Sequence, residues 1–154
     1  MKTILAIAML ACSLGSANDE FEKIKKLEGS WESSDKDHPC TVTYKVTSGG
    51  SAVSETMTMP NHAEMLTVYH LEGGSLALTH YCMLGNQPHM KSTGAGKADA
   101  VTLKCADAKA CGDAKHMHAL TATFVDADHL KQDWTLFDGG KEAGVHSFTL
   151  ARKK

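Results

Sequence analysis

The sequence predicts an all-β fold, an up-and-down antiparallel β-barrel of about ten strands closed at one end by a short N-terminal helix. From residue 30 onward, short runs alternate polar and apolar residues, the pattern of half-buried strands. Turn residues break these runs at close intervals: Ser48-Gly49-Gly50, Pro60-Asn61-His62, Gly73-Gly74, Gly85-Asn86-Gln87, Gly94-Ala95-Gly96, Asp126-Ala127-Asp128 and Asp138-Gly139-Gly140. Closing such a meander removes its exposed edges. At 154 residues the chain builds one domain with a core of its own.

Lys2, the apolar stretch Thr3 to Ala11 and the small residues through Gly15-Ser16-Ala17 read as a signal peptide over residues 1–17. That leaves 18–154 as the barrel domain and implies a periplasmic or secreted protein. The second reading takes Met9-Leu10-Ala11-Cys12 as a lipobox, with Cys12 as a lipid anchor. No stretch reaches the roughly 20 apolar residues of a membrane-spanning helix, so no transmembrane segment is expected.

Phe21, Ile24 and Leu27 share one face of a helix expected over residues 18–27. Strands are expected at 30–35, 41–47, 51–58, 64–71, 75–83, 88–93, 99–105, 116–125, 129–137 and 143–152. The segment 88–93 is the least patterned of these, and parity supports it. In a closed meander the first and last strands pair antiparallel, so the strand number is even. Keeping one face apolar sets the register within hairpins. A two-residue loop at Gly73-Gly74 places Tyr69, Leu71, Leu76, Leu78, His80 and Cys82 on one face. A three-residue loop at Asp126-Ala127-Asp128 does the same for His118, Leu120, Phe124, Leu130, Trp134 and Leu136, and His146, Phe148, Leu150 and Arg152 alternate in the last strand. These faces form the expected interior.

Leu27-Glu28-Gly29-Ser30-Trp31 after a short helix resembles the Gly-x-Trp opening of lipocalins and the wider calycin superfamily. The resemblance implies that a cation from the final strand covers the first-strand Trp, and Arg152, the only Arg, stands at that position. Thr79-His80-Tyr81-Cys82, Gly85-Asn86-Gln87-Pro88 and His116-Met117-His118 are similar to runs in exported bacterial lipocalin-like proteins, a likeness that brings no activity with it. A nitrobindin-like member of the superfamily would place a final-strand His on haem iron, and His146 is the position here that matches.

The meander puts the loops at 36–40, 59–63, 84–88, 106–115 and 138–142 at the end opposite the helix. His38, His62, His80, His89, His116, His118 and His146 gather in that open half, together with Cys40, Cys82, Cys105 and Cys111 and with Met57, Met59, Met65, Met83, Met90 and Met117. Imidazole, thiolate and thioether favour soft or borderline metals, here copper, zinc or haem iron. Alternate residues on a strand lie about 6.6–7 Å apart on one face, so His116 and His118 are placed to converge on one ion. His80, His146 and Cys82 are expected to face the same cavity, with Glu55 as a carboxylate ligand or an orienting partner. The competing reading is a carrier whose interior, lined by Tyr69, Leu78, Leu120, Phe124, Trp134 and Phe148, holds a small apolar molecule, with the methionines as adaptable filler.

Four cysteines beyond the leader allow three pairings. A local Cys105–Cys111 bridge with Cys40–Cys82 is one, and buried free thiols are the alternative. Lys and Arg number 16 against 18 acidic residues, a balance that argues against a nucleic-acid partner. Gly-x-Ser-x-Gly, His-Glu-x-x-His and Cys-x-x-Cys are absent from the sequence, and Gly94-Ala95-Gly96-Lys97-Ala98 lacks the residues of a phosphate loop. His80 with Cys82 is the one pairing that resembles a base and nucleophile, and it lacks an identified orienting group.

Overall fold

The computed structural model describes residues 17–36, 38–94, 97–106 and 111–154, so residues 1–16 of the expected leader, Cys12 among them, lie outside the described residues. One helix, α1 (Ala17–Lys25), precedes ten strands: β1 (Gly29–Ser33), β2 (Thr41–Thr47), β3 (Ala52–Thr58), β4 (Met65–Glu72), β5 (Ser75–Tyr81), β6 (His89–Ser92), β7 (Ala100–Cys105), β8 (His116–Phe124), β9 (His129–Asp138) and β10 (Lys141–Arg152). Each strand pairs antiparallel with its neighbour in sequence, and β1 pairs with β10 to close the barrel. All ten expected strands are present with ends within two residues of expectation, the short β6 included. Gly73 and Gly74, at φ 58° and 79°, join Glu72 to Ser75 in the two-residue turn whose positive φ values favour glycine. Among the described residues, no helix is long and apolar enough to cross a membrane.

Closure depends on the last residue of β10. Arg152 pairs with Trp31, and its guanidinium carbon lies 4.2 Å from the centre of the indole ring. Its Nη1 donates to the carbonyl of Glu28 at 2.8 Å and its Nη2 to that of Lys26 at 3.0 Å. The carbonyls just beyond α1, which have no helical partner, thereby gain a charged donor. The Trp31 indole N–H donates to Leu27 at 2.8 Å, so helix end, first strand and last strand meet at one point. Gly29, at φ 123°, permits this approach, because a Cβ there would lie 3.2 Å from Arg152 Nη1.

The helix end of the barrel is solid. Phe21, Ile24 and Leu27 are buried together with Val53, Leu76, Leu103, Leu130 and Leu150. Tyr69, Leu78 and Leu120 are part of this packed core, and Phe124 lies partly buried against it beside the closed-end turn. These four pack in or against the core and are not among the residues lining the open-end cavity, whereas Trp134 and Phe148, expected beside them, do line it. Leu71, near the tip of the β4–β5 hairpin, is 39% exposed and escapes the interior face expected for it.

A second correction comes from β8. Its register with β9 steps from Met117↔Leu136 to Ala119↔Thr135, so His118 is the extra residue of a β-bulge. The alternation that puts Leu120 inside therefore breaks, and Met117 takes the inner face in place of its histidine neighbours. His116 pairs with Phe137 on the outer face, and His118 stacks on the same ring at 3.9 Å.

Cys105 and Cys111 form a disulfide, while Cys40 and Cys82 are buried free thiols. Cys40 precedes β2 and Cys82 follows β5, with β3 and β4 between these strands. That is three strand spacings, about 14 Å along the sheet, whereas a disulfide requires Cα atoms within about 7 Å.

Replacing Arg152 with Lys keeps the charge and removes the fork that reaches two carbonyls while lying over Trp31. The expected result is a loss of about 2–3 kcal/mol in unfolding free energy, measured by denaturant titration of the two proteins side by side.

Candidate functional site

Cross-strand register builds the site. Tyr44 pairs with Glu55, Glu55 with Thr67, and Thr67 with His80, so four polar side chains form a row on the inner face of β2 to β5. On the far wall, alternation along β9 points Leu130, Gln132, Trp134 and Leu136 inward. The two walls meet. The rings of His80 and Trp134 lie 4.5 Å apart, Trp134 donates its indole N–H to Gln132 Oε1 at 3.1 Å, and Gln132 Nε2 donates to the Tyr44 hydroxyl. Thr67 Oγ1 and His80 Nδ1 are 2.9 Å apart, and the Tyr69 hydroxyl reaches up from the core to donate to Glu55 Oε2 at 2.6 Å.

This belt has an internal logic of donors. Indole N–H only donates, so it fixes the Gln132 amide with oxygen toward Trp134 and nitrogen toward Tyr44. The Tyr44 proton is then available to Glu55, with which its hydroxyl is hydrogen bonded. Glu55 is 1% exposed and its polar partners are hydroxyls and an amide. Burial pushes its pKa up from the ordinary value, against the hydrogen bonds from Tyr69, Gln132 and Tyr44. Burial, reinforced by the Glu55 charge, also holds the Tyr44 and Tyr69 hydroxyls well above the usual tyrosine range. Burial alone pushes His80 down to about 4, so its imidazole is neutral at pH 7.

Above the belt the barrel opens into a cavity of about 500 Å³. Glu55, His80 and Trp134 form its floor, and Met57, Met65, Met117, Leu136 and Phe148 much of its wall. Cys82 also lines it, and His38, His62, Lys115 and His146 stand around it toward the exposed rim. Met59 and Met83 complete the set of five methionines that the cavity takes from the expected open half, while Met90 lies in the core at 0% exposure.

The candidate donors fall into two groups. Glu55, His80, Cys82 and His146 surround the cavity. His116 and His118 lie outside it, on the outer face of the rim, because the bulge turned them there. Their ring nitrogens, His116 Nε2 and His118 Nδ1, are 3.1 Å apart, and His116 Nδ1 lies 2.7 Å from the Ala114 carbonyl. That carbonyl requires a proton on His116 Nδ1, which leaves Nε2 as the ring's lone-pair nitrogen. Burial, followed by the neighbouring His116 and Lys104, lowers the pKa of His118. Among the described residues, one donor atom from each of Cys105, His116 and His118 lies within 4.8 Å of the other two. No cavity residue belongs to that cluster.

Tyr44, Thr67 and Gln132 are site residues that sequence reasoning missed. Gln132 was detectable as a polar residue at an inward position between Leu130 and Trp134. Thr67 carries no such signal, since it is an ordinary strand residue until its register against His80 is known. No protein-family model matches the chain, and no curated protein matches it either.

A neutral buried imidazole makes stability depend on pH. The folded pKa of His80 lies below its ordinary 6.5, so its contribution is present above pH 6.5 and is lost as pH falls toward 4. The loss amounts to at most about 3 kcal/mol. Glu55, shifted upward, acts in the opposite sense over acidic pH, so the measurement is a difference: unfolding free energy against pH for the natural chain and for His80→Gln. The His80→Gln profile should lack the acid-side fall between pH 6.5 and 4, and superimposable profiles would assign that fall to other groups.

Proposed function

We propose that this chain is an exported binding barrel of the calycin kind, which holds one small, mostly apolar molecule in its open end with a polar group of that molecule against Glu55 and His80. The observation that carries the reading is the cavity of about 500 Å³ at the open end, whose wall is chiefly methionine, leucine and aromatic. Its volume lies within the range of about 300–1,000 Å³ common to small-molecule sites. Methionine walls adapt to the shape of the guest.

The floor sets the kind of polar group. A buried carboxyl in a belt of hydroxyls and a neutral imidazole can accept from or donate to a hydroxyl, amide or carbonyl, all of which enter without bringing net charge into the barrel. The Arg152 cation over Trp31 supports the calycin reading at the closed end. The disulfide and the sequence of residues 1–17 support export. Haem carried on His146 is the weaker variant, because His146 is exposed at the mouth while the buried imidazole, His80, is engaged with Thr67 and Trp134.

Nile red, a neutral apolar dye, tests the reading in fluorescence titration. One saturable equivalent is expected, and Leu136→Trp, which puts an indole into the cavity, should raise the Kd at least about tenfold, the equivalent of ~1.4 kcal/mol. Extraction of the protein into organic solvent followed by mass spectrometry then identifies the natural guest. Dye binding that is absent, or that ignores Leu136→Trp, would sink the carrier reading.

A further inference from the structure

Where β7 ends beside the β8 bulge, a second set of ligands lies apart from the residues that line the cavity and is independent of what the cavity holds. Cys105 ends β7, and its sulfur is within 4.8 Å of donor nitrogens on His116 and His118. Cys111 is bonded to Cys105, which puts a second sulfur one bond away from that cluster. Two sulfurs and two imidazoles are the donor set of a tetrahedral zinc site. In such a site, bonds of about 2.0–2.3 Å place ligand atoms about 3.3–3.8 Å apart. The two histidine nitrogens, at 3.1 Å, already stand near that separation.

The backbone supports the same assignment. The Ala114 carbonyl takes the proton on His116 Nδ1, which leaves Nε2 with its lone pair, 3.1 Å from His118 Nδ1. A carbonyl on the far nitrogen is the usual orienting partner of a metal-bound imidazole. Stacking on Phe137 holds the His118 ring. In the disulfide form both sulfurs are tied to each other and neither is a thiolate, the form in which cysteine ligates.

We propose that Cys105, Cys111, His116 and His118 form a redox-gated site for a thiophilic divalent cation of the Zn²⁺ class, closed while the Cys105–Cys111 disulfide is intact and opened by its reduction. A dithiol reductant attacks the disulfide through a mixed-disulfide intermediate and closes to its own disulfide, so two electrons and two protons pass to the protein and two thiols appear. Zn²⁺ then binds both sulfurs and releases two protons. Oxidation by disulfide exchange in the reverse direction expels the ion. The barrel is placed to survive the change, because the disulfide spans a separation of six residues while the β7–β8 pairing from Ala100↔Thr123 to Lys104↔Ala119 lies outside that loop.

Zinc binding by the intact chain, before and after reduction, tests the proposal. A phosphine serves as the reductant, because it leaves no competing thiol in solution, and is removed under anaerobic conditions. Competition titration with a chromogenic chelator should show one equivalent of Zn²⁺ bound to the reduced protein at least about a hundredfold more tightly than to the oxidised protein. Co²⁺ in the same protein should give sulfur-to-metal charge-transfer absorption only after reduction. His116→Gln with His118→Gln leaves the disulfide in place and should abolish most of the difference, and Cys105→Ser with Cys111→Ser should make affinity independent of redox state. Should reduction unfold the chain, Cys111→Ser frees Cys105 without a reductant and should bind Zn²⁺ through Cys105 and the two histidines. Equal affinity in both redox states, tight binding that survives the histidine changes, or a folded Cys111→Ser protein indifferent to Zn²⁺ would each overturn the proposal.

Discussion

Arg152 lies over the Trp31 ring while its nitrogens hold the carbonyls of Lys26 and Glu28, and this contact joins helix, first strand and last strand at the seam that closes the barrel. β1 is five residues long and pairs with β10 at Trp31, Glu32 and Ser33, flanked by backbone hydrogen bonds from Lys153 to Ser30 and from Ser34 to Thr149, a short seam for the closure of a ten-stranded sheet. The seam holds because one guanidinium performs three tasks at once: it covers an aromatic face, it satisfies carbonyls beyond the helix end, and it ties α1 down as a plug. A Lys at 152 would supply the charge without the fork. With the seam closed, no strand edge runs the height of the barrel and the inner faces are held in fixed register.

Fixed register is what makes the polar belt possible. Tyr44, Glu55, Thr67 and His80 become neighbours only through three consecutive strand pairings, and Gln132 and Trp134 reach them only across the barrel. The belt divides the interior. Below it, aliphatic and aromatic side chains fill the space left by ten converging strands. Above it, the side chains are flexible methionines and small rings that leave a cavity. A buried carboxyl is costly in apolar surroundings, and here its partners are hydroxyls and an amide that it can engage without a counter-charge.

One inserted residue gives the rim a separate chemistry. Without the bulge at His118, His116 and His118 would point into the cavity beside His80. With it, Met117 faces inward and the imidazoles lie over Phe137 next to the Cys105–Cys111 bridge. The inward side chain of Met117 and the stacking of His118 on Phe137 are thus two consequences of the same local irregularity.

The periods and turns were legible in the residues themselves. Alternation and turns located nine strands, parity supported β6 as the tenth, Gly73-Gly74 set the β4–β5 hairpin, and the lone Arg in the last strand pointed to the seam with Trp31. The gathering of histidine, methionine and cysteine at one end was equally visible, because a meander assigns each loop to an end by counting. What the tertiary structure alone decided was how those side chains divide. Alternation assumes an unbroken two-residue period, and a single bulge reverses the face of everything beyond it while leaving no mark in composition. The partners of Glu55 come from strands distant in sequence, so the partly hollow barrel, the belt beneath its cavity and the outward turn of His116 and His118 belong to packing between strands and not to any one of them.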